Sequence, residues 1–130
     1  MPLKKLLGLA AVLEAATGLA LMVHPPLVTW LLLGDGVSGA GVALGRVAGF
    51  ALLSLGLSCW PGFDAVADDS RSLRAMFTYN LLVTLYLAYL GIDGGSVGSL
   101  LWPAVALHAV LTLLLARAWL SAVGVERVKQ

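Results

Sequence analysis

The stretch Gly41-Val-Ala-Leu-Gly-Arg-Val-Ala-Gly49 combines regularly spaced glycines with one cation in an apolar run. Glycine at this spacing lets a neighbouring helix backbone approach closely in lipid. We therefore expect a helix-packing stripe formed by Gly41, Gly45, Gly49 and Gly56. Arg46 places a full charge within the same run, and a charge at membrane depth needs a partner. The stretch predicts a packed intramembrane helix with Arg46 as a candidate site residue.

The composition of the 130 residues is that of one membrane domain. Hydrophobic residues account for 60% and charged residues for 12%, whereas a soluble domain is about half apolar and about a quarter charged. The net charge of +1 argues against a nucleic-acid partner, because nucleic-acid binding needs clustered Lys and Arg. The single cysteine, Cys59, excludes an intramolecular disulfide. We expect Cys59 to be an inert, packed thiol.

Four apolar segments approach the roughly 20 residues that a helix needs to cross a bilayer. The predicted spans are approximately 3–23, 40–60, 72–91 and 99–121. Lys4 and Lys5 before an apolar run could indicate a signal peptide, but Glu14 interrupts that run and three more spans follow. We therefore expect an uncleaved first helix. The shorter segment 27–33, with Trp30 as an anchor, predicts an interfacial helix between spans 1 and 2.

These segments predict the fold class: an all-α, integral membrane four-helix bundle forming a single transmembrane domain over residues 1–130. Seven of the eight Lys and Arg residues fall on one side of a four-span arrangement, and the eighth is Arg46. The opposite connections carry Asp35 and Asp93 but no Lys or Arg. The positive-inside rule then predicts that both termini are cytoplasmic.

Each predicted span brings a strongly polar side chain towards the membrane interior. A rise of about 1.5 Å per residue places Glu14 and His108 near the midplane, with Asn80 somewhat nearer the cytoplasm. The same rise leaves Arg46 close enough in depth to pair with Glu14. The predicted polar cluster or ligand pocket consists of Glu14, Arg46, Asn80, His108, Thr17 and Tyr86. Tyr79, on a face beside Asn80, could line a pocket as Tyr86 could, but aromatic residues at helical spacing usually serve packing.

This cluster has two interpretations. In the structural one, Glu14 and Arg46 neutralise each other while Asn80 and His108 form a hydrogen bond across helices, so the network determines which helices pack together. In the functional one, Glu14 or His108 titrates, or the cluster binds an apolar ligand. No cofactor is predicted, but a quinone or a lipid is a candidate ligand.

The sequence contains no recognisable catalytic or metal-binding motif. A phosphate-binding loop, a nucleophile elbow, a zinc-binding HExxH pattern and a calcium-loop spacing are all absent. His24 and His108 differ too much in depth to bind one metal or one haem together. We therefore predict no catalytic residue and no metal site, and the sequence does not support an enzyme that acts alone.

Glu14-Ala-Ala-Thr-Gly18, the pair Pro25-Pro26 and Arg46-Val-Ala-Gly49-Phe-Ala-Leu-Leu-Ser-Leu-Gly56 resemble the DoxX-like superfamily and its uncharacterised four-helix relatives in bacterial inner membranes. The resemblance covers most of the chain. It implies a multi-pass protein of the bacterial cytoplasmic membrane, acting as a non-catalytic accessory or scaffold subunit of a membrane system that can be quinone-linked and redox-active. The implied partners are the lipid bilayer and either copies of the chain or a larger membrane complex. No catalytic residue carries over, since the family has no agreed catalytic motif to match.

A second resemblance is to the small multidrug resistance transporters, which also have four helices and a membrane-embedded glutamate in the first. It implies a proton-coupled small-molecule transporter in which Glu14 exchanges a proton for a cationic substrate. Pairing of Arg46 with Glu14 would oppose this function, and the remaining spans lack that family's aromatic pattern. The accessory subunit is therefore the first prediction, and transport is the alternative.

Overall fold

The computed structural model describes residues 1–61, 69–95 and 97–128, with side chains described as far as residue 121. Within these ranges the chain is helical and contains no strand. The helices are α1 (Leu3–Val23), α2 (Pro25–Leu33), α3 (Ala40–Ser58), α4 (Asp69–Asp93) and α5 (Leu101–Val128). The all-α prediction is confirmed.

Four of these helices are long and apolar enough to cross a membrane: α1, α3, α4 and the Leu101–Ser121 part of α5. This confirms the predicted number of potential spans. The helix α4 begins at Asp69, three residues before the predicted start. The short α2 has nine residues, too few to cross a bilayer, and it begins at Pro25 rather than at residue 27.

The ends of α2 follow directly from its sequence. Proline is tolerated in the first turn of a helix, where its missing N–H would have no partner, so Pro25 can begin α2. His24 caps this end, because its Nδ1 atom accepts a hydrogen bond from the Leu27 backbone N–H at 3.1 Å. At the other end Gly34 has φ of 78°, a left-handed conformation that commonly terminates helices.

The connection between α4 and α5 holds the C-terminal end of α2. The backbone N–H of Gly98 donates to the Leu32 carbonyl at 3.0 Å, and that of Leu100 donates to the Leu31 carbonyl at 2.8 Å. These carbonyls lie in the last turn of α2, where helical partners are missing. The connection therefore satisfies polar groups that α2 alone would leave unpaired.

The long helices pack mainly as two pairs, α1 with α3 and α4 with α5. Both pairs are antiparallel, because contacts that move forward along one helix move backward along its partner. The first pair depends on glycine. A Cβ atom on Gly49 would lie 2.7 Å from the Gly18 carbonyl oxygen, and one on Gly56 would lie 2.7 Å from the Ala11 carbonyl oxygen. Such distances are too short for a real side chain, so these glycines allow the two backbones to approach closely.

The other two members of the predicted stripe have different neighbours. A Cβ atom on Gly45 would lie 2.7 Å from Pro25 Cβ in α2. Gly41 instead faces Val37, in the turn that precedes its own helix, at 2.9 Å. The stripe thus packs against α1 and α2 at three positions, while Gly41 shapes the entry into α3.

One cluster of buried residues joins the two helix pairs. Its members are Leu6, Leu7, Ala10, Ala11, Cys59, Leu73, Met76, Leu111 and Leu115. By contrast, large apolar side chains such as Leu44 and Leu113 are 69% and 65% exposed. A soluble protein rarely exposes extensive apolar surface, but lipid-facing helices do so ordinarily. The distribution of apolar residues therefore agrees with a multi-pass membrane protein.

Candidate intramembrane polar site

Glu14 lies on the buried face of α1, and only 1% of it is exposed. Neither of its carboxyl oxygens has a hydrogen-bond partner among the described residues. The Tyr79 side chain of α4 is close enough to interact with this carboxyl, but the contact does not have hydrogen-bond geometry. Burying a charged carboxylate without a partner costs several kcal/mol. Glu14 is therefore the most unusual polar group in the described structure.

Arg46 does not provide the missing partner, so the Glu14–Arg46 ion pair that the sequence left as a feasible arrangement does not form. The Arg46 side chain is exposed. Leu55 of the same helix packs against the core, and at about 100° per residue these two positions point in nearly opposite directions. Because Leu55 faces inwards, Arg46 faces outwards. The guanidinium is therefore exposed while the carboxyl is buried, and the two do not meet despite their similar predicted depth.

Asn80 and His108 connect α4 to α5. Asn80 is fully buried, and its Oδ1 atom lies 2.8 Å from Nδ1 of His108. The Asn80 side chain is anchored at its other end, where Nδ2 donates to the Met76 carbonyl at 2.9 Å. The structure therefore contains the cross-helix hydrogen bond that the structural interpretation expected.

Hydroxyl groups on α4 and α5 bond to the carbonyls of these same two residues. Thr84 donates to the Asn80 carbonyl at 2.7 Å, and Thr112 donates to the His108 carbonyl at 2.8 Å. Each threonine bonds to the carbonyl four residues earlier in its own helix, a common arrangement within helices. The hydrogen-bonding capacity of these hydroxyls is therefore used within their own helices. They do not compete for the hydrogen bond between the Asn80 and His108 side chains.

Tyr79 links Glu14 to this pair and is the site residue that the predicted polar cluster leaves out. Its ring meets the His108 ring edge to face, with centroids 6.1 Å apart and an interplanar angle of 76°. The same side chain interacts with Glu14 on α1. The helical spacing of Tyr79 favours a packing role, but its position next to Asn80 in the sequence is a signal that could have identified it. The structure therefore defines a polar site made of Glu14, Tyr79, Asn80 and His108.

Two further predicted members lie outside the polar site. Thr17 is exposed, and its hydroxyl donates to the Leu13 carbonyl of its own helix at 2.9 Å. Tyr86 is 63% exposed. Thr17 is rotated about 60° from Glu14 around the helix axis, which is enough to remove it from the buried face. Of the predicted cluster, the structure thus brings together Glu14, Asn80 and His108, and it separates Arg46, Thr17 and Tyr86 from them.

Cys59, directly after α3, has the character of a packing residue. It is 4% exposed, and its Sγ atom lies 3.9 Å from the Ser72 carbonyl oxygen. Burial raises the pKa of the Cys59 thiol, which disfavours the reactive thiolate. Among the described residues, no group of three or more His, Cys, Asp or Glu side chains could hold a metal ion.

Comparison of the chain with protein-family models, with curated proteins and with solved structures finds no match. The resemblances to the DoxX-like superfamily and to the small multidrug resistance transporters therefore stay predictions. Functional inference depends on the geometry of the polar site and on the distribution of charge along the helices.

Proposed function

We propose that this chain is a proton-coupled membrane transporter for a small apolar cation, with Glu14 as the group that exchanges the proton. The observation that carries this proposal is the Glu14 carboxyl, which is buried and has no hydrogen-bond partner and no cationic partner among the described residues. Pairing with Arg46 would oppose transport, but Arg46 is exposed and does not pair with Glu14. Of the two predicted functions, the geometry thus favours transport over the accessory subunit.

The coupling follows from the cost of an isolated charge in an apolar interior. Several kcal/mol oppose an unpaired carboxylate there, so the closed arrangement favours the neutral acid. A cation that reaches Glu14 would remove most of that penalty and allow the proton to leave. Proton release and cation binding are therefore linked at this one carboxyl. The Tyr79 hydroxyl is placed to orient the carboxyl, since it is the polar side chain that interacts with it.

Proton release on binding of a hydrophobic cation tests this function. The probe is tetraphenylphosphonium, added to purified protein in weakly buffered detergent with a pH-sensitive dye. We expect the wild type to release protons at saturation and Glu14→Gln to release none. Asp35→Asn is the matched control, because Asp35 is an exposed carboxyl outside the helices, and it should behave as the wild type does. Equal signals from wild type and Glu14→Gln would contradict the proposal.

A second candidate is the non-catalytic accessory or scaffold subunit that the DoxX-like resemblance implies, in a membrane system that can be quinone-linked. The observation that favours it is the closure of the polar site, since Glu14 and Asn80 are 1% and 0% exposed. A closed network suits a fixed scaffold better than an exchange site. Native mass spectrometry from mild detergent distinguishes the two functions. A retained quinone, partner protein or second copy supports the accessory role, and a bare monomer that still releases protons supports transport.

For either function, we propose a bacterial cytoplasmic membrane protein whose two helix pairs form a four-helix bundle, with both termini in the cytoplasm. Antiparallel packing brings the start of α1, the start of α4 and the end of α5 to one end of the molecule. Lys4, Lys5, Arg74 and Arg117 lie towards that end, which the positive-inside rule assigns to the cytoplasm. Fusion of alkaline phosphatase to the C-terminus should give an inactive reporter, because that enzyme is active only outside the cytoplasm. An active fusion would reverse the orientation.

A further inference from the structure

A groove of about 340 Å³ lies between the beginning of α1 and the later part of α5. Its lining consists of Met1, Leu6, Leu114, Arg117, Ala118 and Ser121. Leu6 belongs to the buried core, and Leu114 and Ala118 pack against that core. The floor of the groove is therefore apolar and firmly supported. Its volume is at the lower end of the roughly 300–1,000 Å³ that ligand sites occupy.

Arg117 provides the charge in this groove. It is exposed and lies in the Leu101–Ser121 span, four residues before the end, a depth of about 6 Å. At such a depth a long cationic side chain extends its charged end to the interface and leaves its stem along the apolar surface. The Ser121 hydroxyl donates to the Arg117 carbonyl at 2.9 Å. No described carboxylate pairs with the Arg117 guanidinium.

We propose that this α1–α5 groove binds an anionic phospholipid, with the phosphate on Arg117 and an acyl chain along Leu6, Leu114 and Ala118. The groove is complementary in charge to such a lipid at the correct depth. The cation stands at the membrane boundary, and the apolar floor runs from it towards the interior. Lys4 and Lys5 lie at the same end of the molecule, and basic pockets between transmembrane helices are known to bind lipid head groups. This site is separate from Glu14, so it does not depend on the proposed transport function.

A soluble anion would satisfy Arg117 but would leave the apolar floor uncovered, whereas an acyl chain without a headgroup would leave the guanidinium unpaired. A phospholipid satisfies both parts of the groove. The acidic headgroup matters because an anionic membrane surface attracts each nearby Lys or Arg by about 1 kcal/mol. We therefore expect Arg117 to give the groove a preference of roughly fivefold for anionic over zwitterionic lipid.

The test is native mass spectrometry of the full chain titrated with phosphatidylglycerol or with phosphatidylcholine. Wild type and Arg117→Lys should retain phosphatidylglycerol preferentially, and Arg117→Gln should lose about fivefold of that preference. Arg74→Gln is the matched control, because Arg74 is an exposed cation at the same end but outside the groove. Ala118→Phe fills the groove and should reduce the binding of both lipids.

Several results would overturn the lipid site. Equal losses in Arg117→Gln and Arg74→Gln would mean that only the overall charge of this end attracts lipid. Undiminished binding by Ala118→Phe would show that no acyl chain occupies the groove. A wild type without preference for phosphatidylglycerol would remove the role of Arg117. Glu14→Gln should bind lipid as the wild type does, which separates this outcome from any failure of the transport proposal.

Discussion

The Nδ1 atom of His108 lies 2.8 Å from the Oδ1 atom of Asn80, and this contact determines which ring nitrogen carries the hydrogen. The Nδ2 atom of Asn80 donates to the Met76 carbonyl, so the amide cannot be turned without placing two acceptors together. Its Oδ1 atom can only accept a hydrogen bond. The hydrogen must therefore be on Nδ1 of His108, and in the neutral ring Nε2 remains free of hydrogen.

The two histidines should accordingly show opposite tautomers when neutral. The His24 Nδ1 atom accepts a hydrogen bond from the Leu27 N–H, so the neutral His24 ring carries its hydrogen on Nε2. We expect ¹⁵N NMR spectra to show an Nδ1–H signal from His108 and an Nε2–H signal from His24. His24→Gln assigns the signals by removing one of them.

Asn80→Leu should abolish the tautomer preference of His108 and lower the free energy of unfolding by about 0.6 kcal/mol, the average for hydrogen bonds between membrane helices, and by no more than about 1.7 kcal/mol, the largest such value. Thr84→Val is the control, since the Thr84 hydroxyl bonds only within its own helix. An Nε2–H signal from His108 in the wild type would contradict the assigned hydrogen bond.

The sequence was sufficient to predict the helices because two strong signals coincide. Four apolar segments have the length of membrane spans, and prolines and glycines separate them. The glycine spacing also indicated a close helix contact, although it did not reveal that the partner of Gly49 would be Gly18. That pairing depends on the antiparallel arrangement of α1 and α3, which residue spacing alone does not specify.

The polar site was harder to predict because it depends on how each helix is rotated. Residue counting gives depth in the membrane, and by depth Arg46 could reach Glu14. The rotation of α3 instead turns Arg46 outwards and Leu55 inwards. Helix rotation likewise explains why Tyr79 belongs to the site although it was not among the predicted members. Neighbouring residues on a helix point about 100° apart, so Asn80 and Tyr79 join one site only because α1 and α5 lie on adjacent sides of α4.

Glu14 and Arg46 should be energetically independent. A double-mutant cycle of Glu14→Gln and Arg46→Gln, measured by unfolding in mixed micelles, should give a coupling energy within about 0.5 kcal/mol of zero, as is usual for residues without shared partners. An ion pair in this setting would instead give a clearly larger coupling. A coupling above about 1 kcal/mol would show that the two side chains interact and would weaken the transport proposal.

The contact between Gly18 and Gly49 should tolerate no added methyl group. In Gly49→Ala the new Cβ would lie 2.7 Å from the Gly18 carbonyl oxygen, so α1 and α3 must move apart. We expect the free energy of unfolding to fall by roughly 1–3 kcal/mol, the usual cost of overpacking. Tryptophan fluorescence during unfolding in mixed micelles provides the measurement.

Gly36→Ala is the matched control for this substitution. Its new Cβ would lie 3.5 Å from the nearest atom, the Pro26 carbonyl oxygen, which is an ordinary contact. Stability should therefore stay close to that of the wild type. If Gly49→Ala were as stable as Gly36→Ala, the close approach of α1 and α3 would be wrong.

Cys59 should react slowly in the folded protein, and its ionisation should oppose folding. Burial raises the pKa of the folded thiol above its ordinary value of 9.0. Well below pH 9 the thiol is therefore neutral in both states, and its contribution to stability is constant there. As the pH rises above 9, the unfolded thiol ionises first, so the free energy of unfolding should decrease. Cys59→Ala should remove the part of the decrease in unfolding free energy that comes from ionisation of this thiol.

Alkylation with N-ethylmaleimide at pH 7.5 measures the same burial directly. Cys59 should react at least roughly tenfold more slowly in the folded protein than after unfolding in SDS, because the thiolate is the reactive species and the thiol is shielded. A variant combining Cys59→Ala with Ser38→Cys is the control, since Ser38 is exposed between α2 and α3 and a thiol there should react at similar rates in both states. Rapid alkylation of folded Cys59 would mean that α3 and α4 do not enclose it.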